Sequence, residues 1–335
     1  MGMESQIGPQ ASGAGLWGNA PTVLLPGAGG DAAIGAIRSL RRAGFKGKLV
    51  TSDADPSSPG FYLADAYAVL PPIKDPGFFA AALRLMEREG VQIVLPTSGF
   101  DTLVYAERQG ELAELGICAV MSPHEAVQTC VDKWRFHQAV RERFPVPATT
   151  LRADEVREFP CFVKPRHGKG SRDIALCRSR AELAARLEAR DDLLIQEYLP
   201  GEEFSIDTLS DLAGKALVAV PRLRLATKAG ISVRGRIVRD REIEETCLRL
   251  AEFLGLRGPS CIQMRRDPEG RAKLLEINPR MGGGTMFTTL AGVNIAALTV
   301  ELACGRSITI PPPREITVLR HYDEIVVPDL AGKAG

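Results

Sequence analysis

The segment from Cys261 to Gly284 carries oxygen-bearing side chains at a spacing that suits a metal ion. It predicts two strands joined by a turn at residues 267–270 (DPEG), a usual hairpin connection. Because side chains alternate along a strand, Glu276 and Asn278 point to the same face, and in one register Gln263 lies opposite Glu276. One carboxylate and two amide oxygens suit Mg²⁺, which binds few protein oxygens and completes its octahedron with water and phosphate. The other interpretation is the polar outer face of an ordinary hairpin.

A second candidate site lies where a lysine ends a predicted strand. Strand 161–164 ends at Lys164, and the loop 166–171 (RHGKGS) follows directly after Pro165. A strand-end lysine beside free backbone N–H groups suits the phosphates of a nucleotide. The segment lacks the G-x-x-x-x-G-K-[ST] order of a P-loop, and a solvated loop is the alternative interpretation.

Two further stretches could contribute to a nucleotide and substrate site. Segment 195–203 (IQEYLPGEE) joins an apolar strand to an acidic turn, which could offer backbone groups to a base and a carboxylate to ribose. Four cations follow in a glycine-containing segment: Arg222, Arg224, Lys228 and Arg234. One or more of them could receive a substrate carboxylate, because arginine offers a bidentate fork. An exposed basic strand and loop is the equal alternative.

Length and composition describe a globular chain with room for two or three domains. The 335 residues are 45% hydrophobic with a formal net charge of +1, so no basic excess indicates nucleic acid or an anionic membrane as partner. The four histidines lack metal-ligand spacing, and the seven cysteines form no CxxC pair, which favours free thiols in a reducing cytosol. No apolar run approaches the ~20 residues needed to span a bilayer. These features predict a cytoplasmic protein.

The pattern of predicted strands and helices that must position these residues changes near residue 122. Short apolar strands alternate with helices before it: strands at 22–25, 48–51 and 92–96, helices at 32–43 and 77–89. This alternation predicts a parallel sheet with helices on its faces. The glycine-rich turn at 27–31 (GAGGD) lacks G-x-G-x-x-G spacing, which favours a tight turn and close approach of a small substrate over a dinucleotide. Asp53, the last residue of the second strand, is predicted to cap the turn there, and a ligand role is the alternative.

Beyond residue 122 the pattern predicts an α+β arrangement. A helix is predicted to start after Ser122, which could cap it, and a second helix covers 132–143. Shorter strands follow at 161–164, 174–176, 193–196 and 204–207. The sequence therefore predicts a disordered leader over 1–20, a Rossmann-like domain over 21–122 and an α+β domain over 123–325.

The order of these motifs resembles the ATP-grasp superfamily, and within it the carbamoyl-phosphate-synthetase-like branch of carboxylate–amine ligases. Four motifs carry the resemblance: Asp132-Lys133, 162–165 (FVKP) with its glycine loop, 196–203 (QEYLPGEE), and Gln263 with 276–280 (EINPR). The match covers about residues 21–310. The resemblance implies an α/β pre-ATP-grasp domain with a parallel sheet, followed by an ATP-grasp fold of two α+β subdomains.

The resemblance also implies how ATP would be held. Lys133 and Lys164 would contact its phosphates, and the loop residues Gly168, Gly170 and Ser171 would close over them. The base and the sugar would be bound by the third motif, 196–203. Backbone groups of Glu197, Tyr198 and Leu199 would hold adenine, and Glu203 would bind the ribose.

For the metal and the substrate, the resemblance points back to the hairpin. Gln263, Glu276 and Asn278 would hold one or two Mg²⁺ ions, for which Mn²⁺ could substitute. Many relatives have Asp where this chain has Gln263, and a neutral donor there lowers the negative charge of the site. Arg280 would stabilise the transferred phosphoryl group, with Lys164 as the second catalytic residue. The substrate would lie against Arg222, Arg224, Arg280 and Gly282.

The predicted activity is ATP-dependent joining of a carboxylate to an amine through an acyl phosphate, on amino-acid-like substrates. A carboxylate is a poor electrophile because its leaving group would be oxide, whereas an acyl phosphate loses phosphate. The alternatives are phosphorylation of a small carboxylate such as bicarbonate or carbamate, and a nucleotide-binding regulatory module without turnover. Expected partners are small-molecule substrates, with no nucleic acid and no membrane, and a homodimer is compatible with the resemblance.

Overall fold

A computed structural model describes residues 20–99, 101–168 and 173–327. Within these ranges the strands form a parallel sheet near the amino terminus, a small four-stranded sheet and a larger six-stranded sheet, called here the amino-terminal, small and central sheets. The predicted leader up to residue 19 lies outside the described residues, as do the predicted phosphate-loop residues Gly170 and Ser171.

The amino-terminal sheet has the predicted parallel pairing, with its described strands in the order β3-β2-β1-β4-β5. Its strands are β1 Val23–Pro26, β2 Leu49–Asp53, β3 Ala66–Val69, β4 Ile93–Val94 and β5 Cys118–Ala119. The associated helices are α1 Asp31–Arg42, α2 Phe78–Glu89, α3 Asp101–Glu107 and α4 Gln109–Glu114, with a 3₁₀ turn at Pro59–Tyr62. The strand order reverses between β1 and β4, so the loops after these strands meet at the carboxyl edge of the sheet, where a Cβ at Gly27 would approach the Ser98 side chain to 2.8 Å.

The glycine-rich turn after β1 is tight, as the sequence predicted. Gly27 has a φ of +81°, a conformation that L side chains rarely adopt. Asp53 holds the turn from the end of β2, because its carboxylate accepts from the Gly29 N–H at 2.8 Å and from the Asp55 N–H at 3.1 Å. The predicted capping role of Asp53 is confirmed.

Two helices connect the amino-terminal sheet to the small sheet, α5 His124–Val131 and α6 Lys133–Val140. The prediction that Ser122 caps α5 is wrong. Its hydroxyl instead pairs with the backbone of Arg257, accepting from the N–H at 3.0 Å and donating to the carbonyl at 3.3 Å. Asp132 caps α6 by accepting from the Trp134 and Arg135 N–H groups at 3.0 and 3.1 Å.

The small sheet is antiparallel, in the order β6-β9-β7-β8. Its elements are β6 Thr149–Thr150, a 3₁₀ turn at Ala153–Glu155, β7 Cys161–Pro165, β8 Ala175–Cys177, helix α7 Arg180–Ala189 and β9 Leu193–Glu197. The glycine loop predicted from the sequence connects β7 to β8. Lys164 lies near the end of β7, where the loop begins.

The central sheet is antiparallel, in the order β14-β13-β10-β11-β12-β15. Its strands are β10 Glu203–Ser210, β11 Ala216–Lys228, β12 Ile231–Ile237, β13 Gly258–Arg266, β14 Ala272–Asn278 and β15 Thr317–Leu319. The helices of this region are α8 Arg241–Phe253, α9 Thr285–Leu290 and α10 Ile295–Ala303. Alternation along the strands gives this sheet one apolar face, since Ile206 and Ile262 pack with Ile243 and Leu250 of α8.

The amino-terminal sheet and the carboxyl-terminal helices share one hydrophobic core. Val23 and Ile37 belong to the same buried cluster as Met281 and Val300. Hydrogen bonds reinforce this contact, because the Asn294 amide donates to the carbonyl of Ser39 at 2.7 Å. The carboxyl edge of the amino-terminal sheet is thereby fixed beside the segment that follows β14.

A contact between Val120, just after β5, and Gly258, at the start of β13, generates a testable prediction. Gly258 and Gly255 both have positive φ, +70° and +63°, but a Cβ at 258 would meet Val120 at 2.9 and 3.0 Å, whereas a Cβ at 255 would meet open space. We expect Gly255→Ala to cost about 1–2 kcal/mol of unfolding free energy from backbone strain. Gly258→Ala should cost about 1–3 kcal/mol more from overpacking. Urea unfolding of both variants measures the difference, and equal losses would contradict this contact.

Candidate nucleotide and metal site

A cavity of about 260 Å³ lies between the small sheet and the central sheet. Most of the predicted site residues line it: Lys133, Lys164, Gly168, Glu197, Tyr198, Leu199, Glu203, Arg224, Gln263 and Glu276. Arg222, Asn278, Arg280 and Gly282 lie beyond this lining, on or after the central-sheet strands. The fold therefore brings together residues that are up to 143 positions apart, from Lys133 to Glu276.

The metal-site hairpin has the register predicted from the sequence. Gln263 on β13 is the Cα partner of Glu276 on β14, and Asn278 is the partner of Cys261. A β-bulge follows directly, between Gln263 and Met264, and such bulges redirect side chains near functional sites. The turn at 267–270 is closed by Asp267, whose carboxylate accepts from the Glu269 and Arg271 N–H groups.

Two lysines approach the hairpin from the opposite side of the cavity. The Lys133 ammonium lies 3.7 Å from the Glu276 carboxylate and donates to the carbonyl of Gly168 at 2.8 Å. The Lys164 ammonium donates to the carbonyl of Leu275 at 3.1 Å. Lys133 thus holds the start of the glycine loop, and both cations lie where a polyphosphate would need them.

Burial changes the acidity of Lys164. Its exposed fraction is 7%, and the loss of water around the ammonium is the main cause that lowers its pKa to about 8. The neighbouring Glu276 carboxylate opposes this shift and the Lys133 charge adds to it. A cation that is costly to bury without a partner is well suited to an incoming phosphate, which would stabilise its charged form.

The predicted base-binding segment leaves β9 at Glu197. The Glu197 carboxylate is already bound by the Lys273 ammonium at 2.7 and 2.8 Å and by the Ala148 N–H at 3.0 Å. The Glu197 N–H also donates to the carbonyl of Ala148 at 2.8 Å, so both groups are held by the protein. Glu203 pairs with Arg224 through a short hydrogen bond and lies 3.6 Å from Arg265, so its carboxylate is fixed at the cavity wall.

The hairpin donors fit Mg²⁺. The Glu276 carboxylate is partly exposed, and its ion pair with Lys133 is long at 3.7 Å. The Gln263 amide oxygen accepts a weak hydrogen bond from Arg224 at 3.4 Å. The Asn278 amide oxygen accepts from Arg280 at 3.0 Å and keeps a second lone pair. No group of three or more His, Cys, Asp or Glu side chains suited to a metal occurs in the described part of the chain, and hard oxygens with one charge favour Mg²⁺ bound together with phosphate.

Arg280 is half-buried at the far end of the hairpin. One of its terminal nitrogens donates to the carbonyl of Met281 at 2.6 Å and the other donates to Asn278. Its Nε has no hydrogen-bond acceptor among the described residues. Burial lowers the pKa of Arg280, while Cys261, Glu276 and Asp207 oppose that shift. This guanidinium is therefore held two residues from a metal donor with unused hydrogen-bonding capacity.

Arg222 is placed differently from the sequence expectation of a direct substrate contact. It is 2% exposed, donates to the Asp207 carboxylate at 2.7 Å and donates to the carbonyl of Gly284 at 3.1 Å. One terminal nitrogen makes both contacts, and the buried side chain lies outside the cavity lining, so Arg222 is not an open carboxylate receptor in that cavity. Arg224 does line the cavity, although it is paired with Glu203 and with the carbonyl of Gly230.

The sequence reasoning missed three residues that shape the site. Asp207 pairs with Arg222, Lys273 neutralises Glu197, and Arg166 forms a bidentate pair with Asp132 at 2.6–2.9 Å. Strand alternation could have indicated Asp207, because it lies on the same face of β10 as Glu203. The other two pairs join different elements, and no local pattern marks them.

Two family models match the chain in consecutive regions. Residues 24–120 match the PylC-like N-terminal domain, and residues 189–325 match the family described as ATP-grasp in the biosynthetic pathway with Ter operon.

Curated relatives include carbamoyl phosphate synthase large chains. That of Thermus thermophilus is 26% identical over 329 residues, covering 89% of this chain and 31% of the relative. That of Hyperthermus butylicus is 26% identical over 303 residues, covering 81% of this chain and 28% of the relative. The chain spans about a third of the length of these relatives, so its own activity and substrates are addressed below as proposals.

Solved structures agree on the fold. The biotin carboxylase domain dimer of 2-oxoglutarate carboxylase from Hydrogenobacter thermophilus, solved with MgADP, ADP and bicarbonate, superposes with a TM-score of 0.69 at 20% identity, covering 86% of this chain and 70% of that one. Biotin carboxylase from Campylobacter jejuni gives 0.68 at 17% identity, covering 86% and 72%. The ATP-grasp assignment made from the motifs is confirmed by the family match over residues 189–325, and the chain is related to ligases of that superfamily. No helix in the described ranges is long and apolar enough to cross a membrane.

The pKa of Lys164 generates a testable prediction for nucleotide binding. Below about pH 8 the lysine is charged in the free protein, and above it the ammonium loses its proton, so MgATP affinity should fall as the pH rises through 8. A charge-assisted hydrogen bond is worth about 1.5–3 kcal/mol, or roughly ten- to a hundredfold in affinity. Calorimetric titration across this range measures the fall.

Lys164→Met is the control for this pH dependence, because methionine has a similar length and no charge. It should bind MgATP more weakly than the unchanged protein at pH 7 and show no step near pH 8. A step of the same size in Lys164→Met would show that another group is responsible.

Proposed function

We propose that the chain is an ATP- and Mg²⁺-dependent carboxylate–amine ligase that acts through an acyl phosphate on amino-acid-like substrates. The observation that carries this proposal is the convergence of two lysines, the hairpin donors Gln263 and Glu276, and the base-binding segment on one cavity. Phosphoryl transfer needs little covalent chemistry from a protein, and positioning with charge stabilisation accounts for most of its catalysis. The cavity offers both.

ATP would lie with its phosphates between Lys133, Lys164 and the hairpin, and its base beside residues 197–199. Glu276, Gln263 and Asn278 would hold Mg²⁺, which would neutralise charge on the phosphates as they react. Lys164 would bind a phosphate oxygen, since that contact relieves the cost of its burial. We expect the site to bind one or two metal ions, with Mn²⁺ able to substitute for Mg²⁺. We also expect the protein to form a homodimer.

The carboxylate would lie beyond Glu276, near Arg280 and the segment that begins at Gly282. Its oxygen attacks the γ-phosphorus of ATP, ADP leaves, and the amine then attacks the acyl carbon and releases inorganic phosphate. Arg280 supports this arrangement because its Nε is buried without an acceptor among the described residues, and a developing phosphoryl charge would satisfy it.

A second candidate reaction is phosphorylation of a small carboxylate such as bicarbonate. What favours it is that the relatives are named carbamoyl phosphate synthase large chains and that one structural neighbour was solved with bicarbonate and MgADP. The two reactions share their first step and differ in whether an amine then accepts the acyl group.

Isotope transfer tests the mechanism. Pooled amino acids and bicarbonate are screened for carboxylate-dependent release of ADP, and the active carboxylate is then supplied with ¹⁸O. We expect ¹⁸O in the released phosphate, because the carboxylate oxygen remains on phosphorus when the amine displaces it. Mass spectrometry of the phosphate and of the nucleotide product measures both. AMP with pyrophosphate would contradict the acyl phosphate, unlabelled phosphate with ADP would indicate hydrolysis, and binding without turnover would favour the regulatory alternative.

Substitutions in the hairpin test the metal site. Glu276→Ala should reduce Mg²⁺-dependent turnover by about a hundredfold or more, because it removes the charged donor, which in related electrostatic contacts costs about 10²–10³ in rate. Gln263→Ala should cost less, since a neutral oxygen attracts the cation less strongly. The measurement is turnover against Mg²⁺ concentration.

Glu269→Ala is the matched control, because Glu269 lies in the turn of the same hairpin with an exposed side chain. Its turnover should equal that of the unchanged protein. If the Glu276→Ala protein is folded and its turnover is near normal, Glu276 is not a metal ligand.

A further inference from the structure

Asp132, the residue before helix α6, holds two segments of the chain with one carboxylate. One of its oxygens accepts from the N–H groups of Trp134 and Arg135 at 3.0 and 3.1 Å, which caps the helix. The guanidinium of Arg166 reaches the same carboxylate from the loop after β7 and donates to both of its oxygens at 2.6–2.9 Å. A single side chain therefore joins the start of α6 to the start of that loop.

Lys133, the first residue of α6, makes two further contacts with the same loop. Its N–H donates to the carbonyl of Arg166 at 3.3 Å, and its ammonium donates to the carbonyl of Gly168 at 2.8 Å. The ammonium also lies 3.7 Å from the Glu276 carboxylate. The backbone and the side chain of Lys133 are thus both located by the loop that Arg166 joins to the helix.

The residues that begin this loop line two different cavities. Pro165 and Gly168 line the nucleotide cavity, whereas Arg166 and His167 line a separate cavity of about 340 Å³. The Arg166 N–H donates to the carbonyl of Asp192 at 2.7 Å, which also fixes the residue to the segment before β9. The Arg166 side chain is therefore placed to act on a nucleotide through Asp132 and the backbone, without contacting it.

The Asp132 carboxylate is buried and charged. The residue is 8% exposed. Burial by itself would raise the pKa of Asp132, but hydrogen bonds from the Arg166 guanidinium and the Arg135 N–H outweigh this effect and hold that pKa below its usual value. A two-point contact between arginine and a carboxylate fixes orientation as well as distance. The pair can therefore hold the helix and the loop in one relative position.

Capping alone does not require a carboxylate at position 132. Serine, threonine or asparagine would cap α6 without a charge. A negative charge beside Lys133, which is expected to bind phosphates, would by itself weaken the binding of an anion. What the carboxylate adds is the two-point contact with Arg166, so its contribution is geometric.

We propose that the Asp132–Arg166 pair is the positioning element of the phosphate subsite: it holds the start of α6 against the loop after β7 and so fixes the ammonium of Lys133 near Gly168 and Glu276. Asp132 and Arg166 act through Lys133 and do not touch the nucleotide. This inference rests on the proposed function and assigns roles to two residues that lie outside the lining of the nucleotide cavity.

Two conservative variants separate geometry from charge. Asp132→Asn keeps the helix cap but loses the charge and one acceptor of the two-point contact, whereas Arg166→Lys keeps the charge and loses the fork. Calorimetry should show weaker MgATP binding in both, by about five- to twentyfold, because removal of one whole charge-assisted hydrogen bond costs roughly ten- to a hundredfold. A purely electrostatic role predicts the opposite sign for Asp132→Asn, since losing a negative charge would tighten the binding of an anion.

Adenosine and a third substitution show whether the effect passes through Lys133. Adenosine has no phosphates, so its affinity should stay within about twofold in both variants, whereas general damage to the site would weaken both ligands. In a Lys133→Met protein, adding Asp132→Asn should cost less than about twofold in MgATP affinity, because both substitutions then act on one contact. Losses that multiply would show that Asp132 acts independently of Lys133 and would overturn the positioning role.

Asp240→Asn is the matched control. Asp240 also caps a helix, accepting from the Ile243 N–H at 3.1 Å, and also pairs with an arginine, Arg266. Both residues lie outside the lining of the nucleotide cavity. The affinity of Asp240→Asn for MgATP should equal that of the unchanged protein.

The outcomes separate this inference from the proposed function, because the measurements need no turnover. Unchanged or tighter MgATP binding in folded Asp132→Asn protein, or an equal loss of adenosine affinity, would overturn the inference. Circular dichroism checks the fold, and Arg166→Lys gives the same test if Asp132→Asn does not fold. A protein that binds MgATP without turnover would contradict the ligase proposal alone, whereas a protein that binds no MgATP would contradict both.

Discussion

The pleating of the central sheet is the constraint on which the rest of the structure depends. Because neighbouring residues on a strand point to opposite faces, β10 packs Phe204 and Ile206 into the core under α8 while Glu203, Ser205 and Asp207 occupy the other face. Cross-strand pairing continues this polar face, since Gln263 pairs with Ser205 and Glu276 pairs with Gln263. A shift of one residue in any of these strands would turn the donors into the core.

The polar face has two ends with different electrostatics. At the cavity end, Lys133 and Lys164 face one carboxylate at Glu276, and burial has already lowered the pKa of Lys164. At the other end, Asp207 and Arg222 compensate each other out of contact with water. A nucleotide could therefore neutralise the charge at the cavity end, whereas at the other end Arg222 holds the carbonyl of Gly284.

The amino-terminal sheet limits what can reach that backbone. Its shared core with α10 places the start of α1 beside residues 282–284, where Asp31 pairs with Arg320, and Arg320 donates to the carbonyl of Gly283. The side chain of Asp31 also comes within 3.3 Å of where a Cβ on Gly283 would lie. A carboxylate bound near Arg280, as proposed, would consequently lie between the central sheet and the loops at the carboxyl edge of the amino-terminal sheet.

The sequence by itself determined the local pieces, because periodicity, turn residues and short motifs are properties of neighbouring residues. The parallel amino-terminal sheet, the hairpin register of Gln263 and Glu276, the cap at Asp53 and the ATP-grasp assignment follow from such patterns. Only the tertiary structure decided which charges meet. Ser122 binds Arg257 instead of capping α5, and Arg222 is enclosed by Asp207, Gly284 and the ring of Phe287. The reason is physical: a side chain's partners across a sheet or between domains depend on packing of segments far apart in the chain, and a polar side chain in a sequence carries no sign of whether water or a buried counter-ion will surround it.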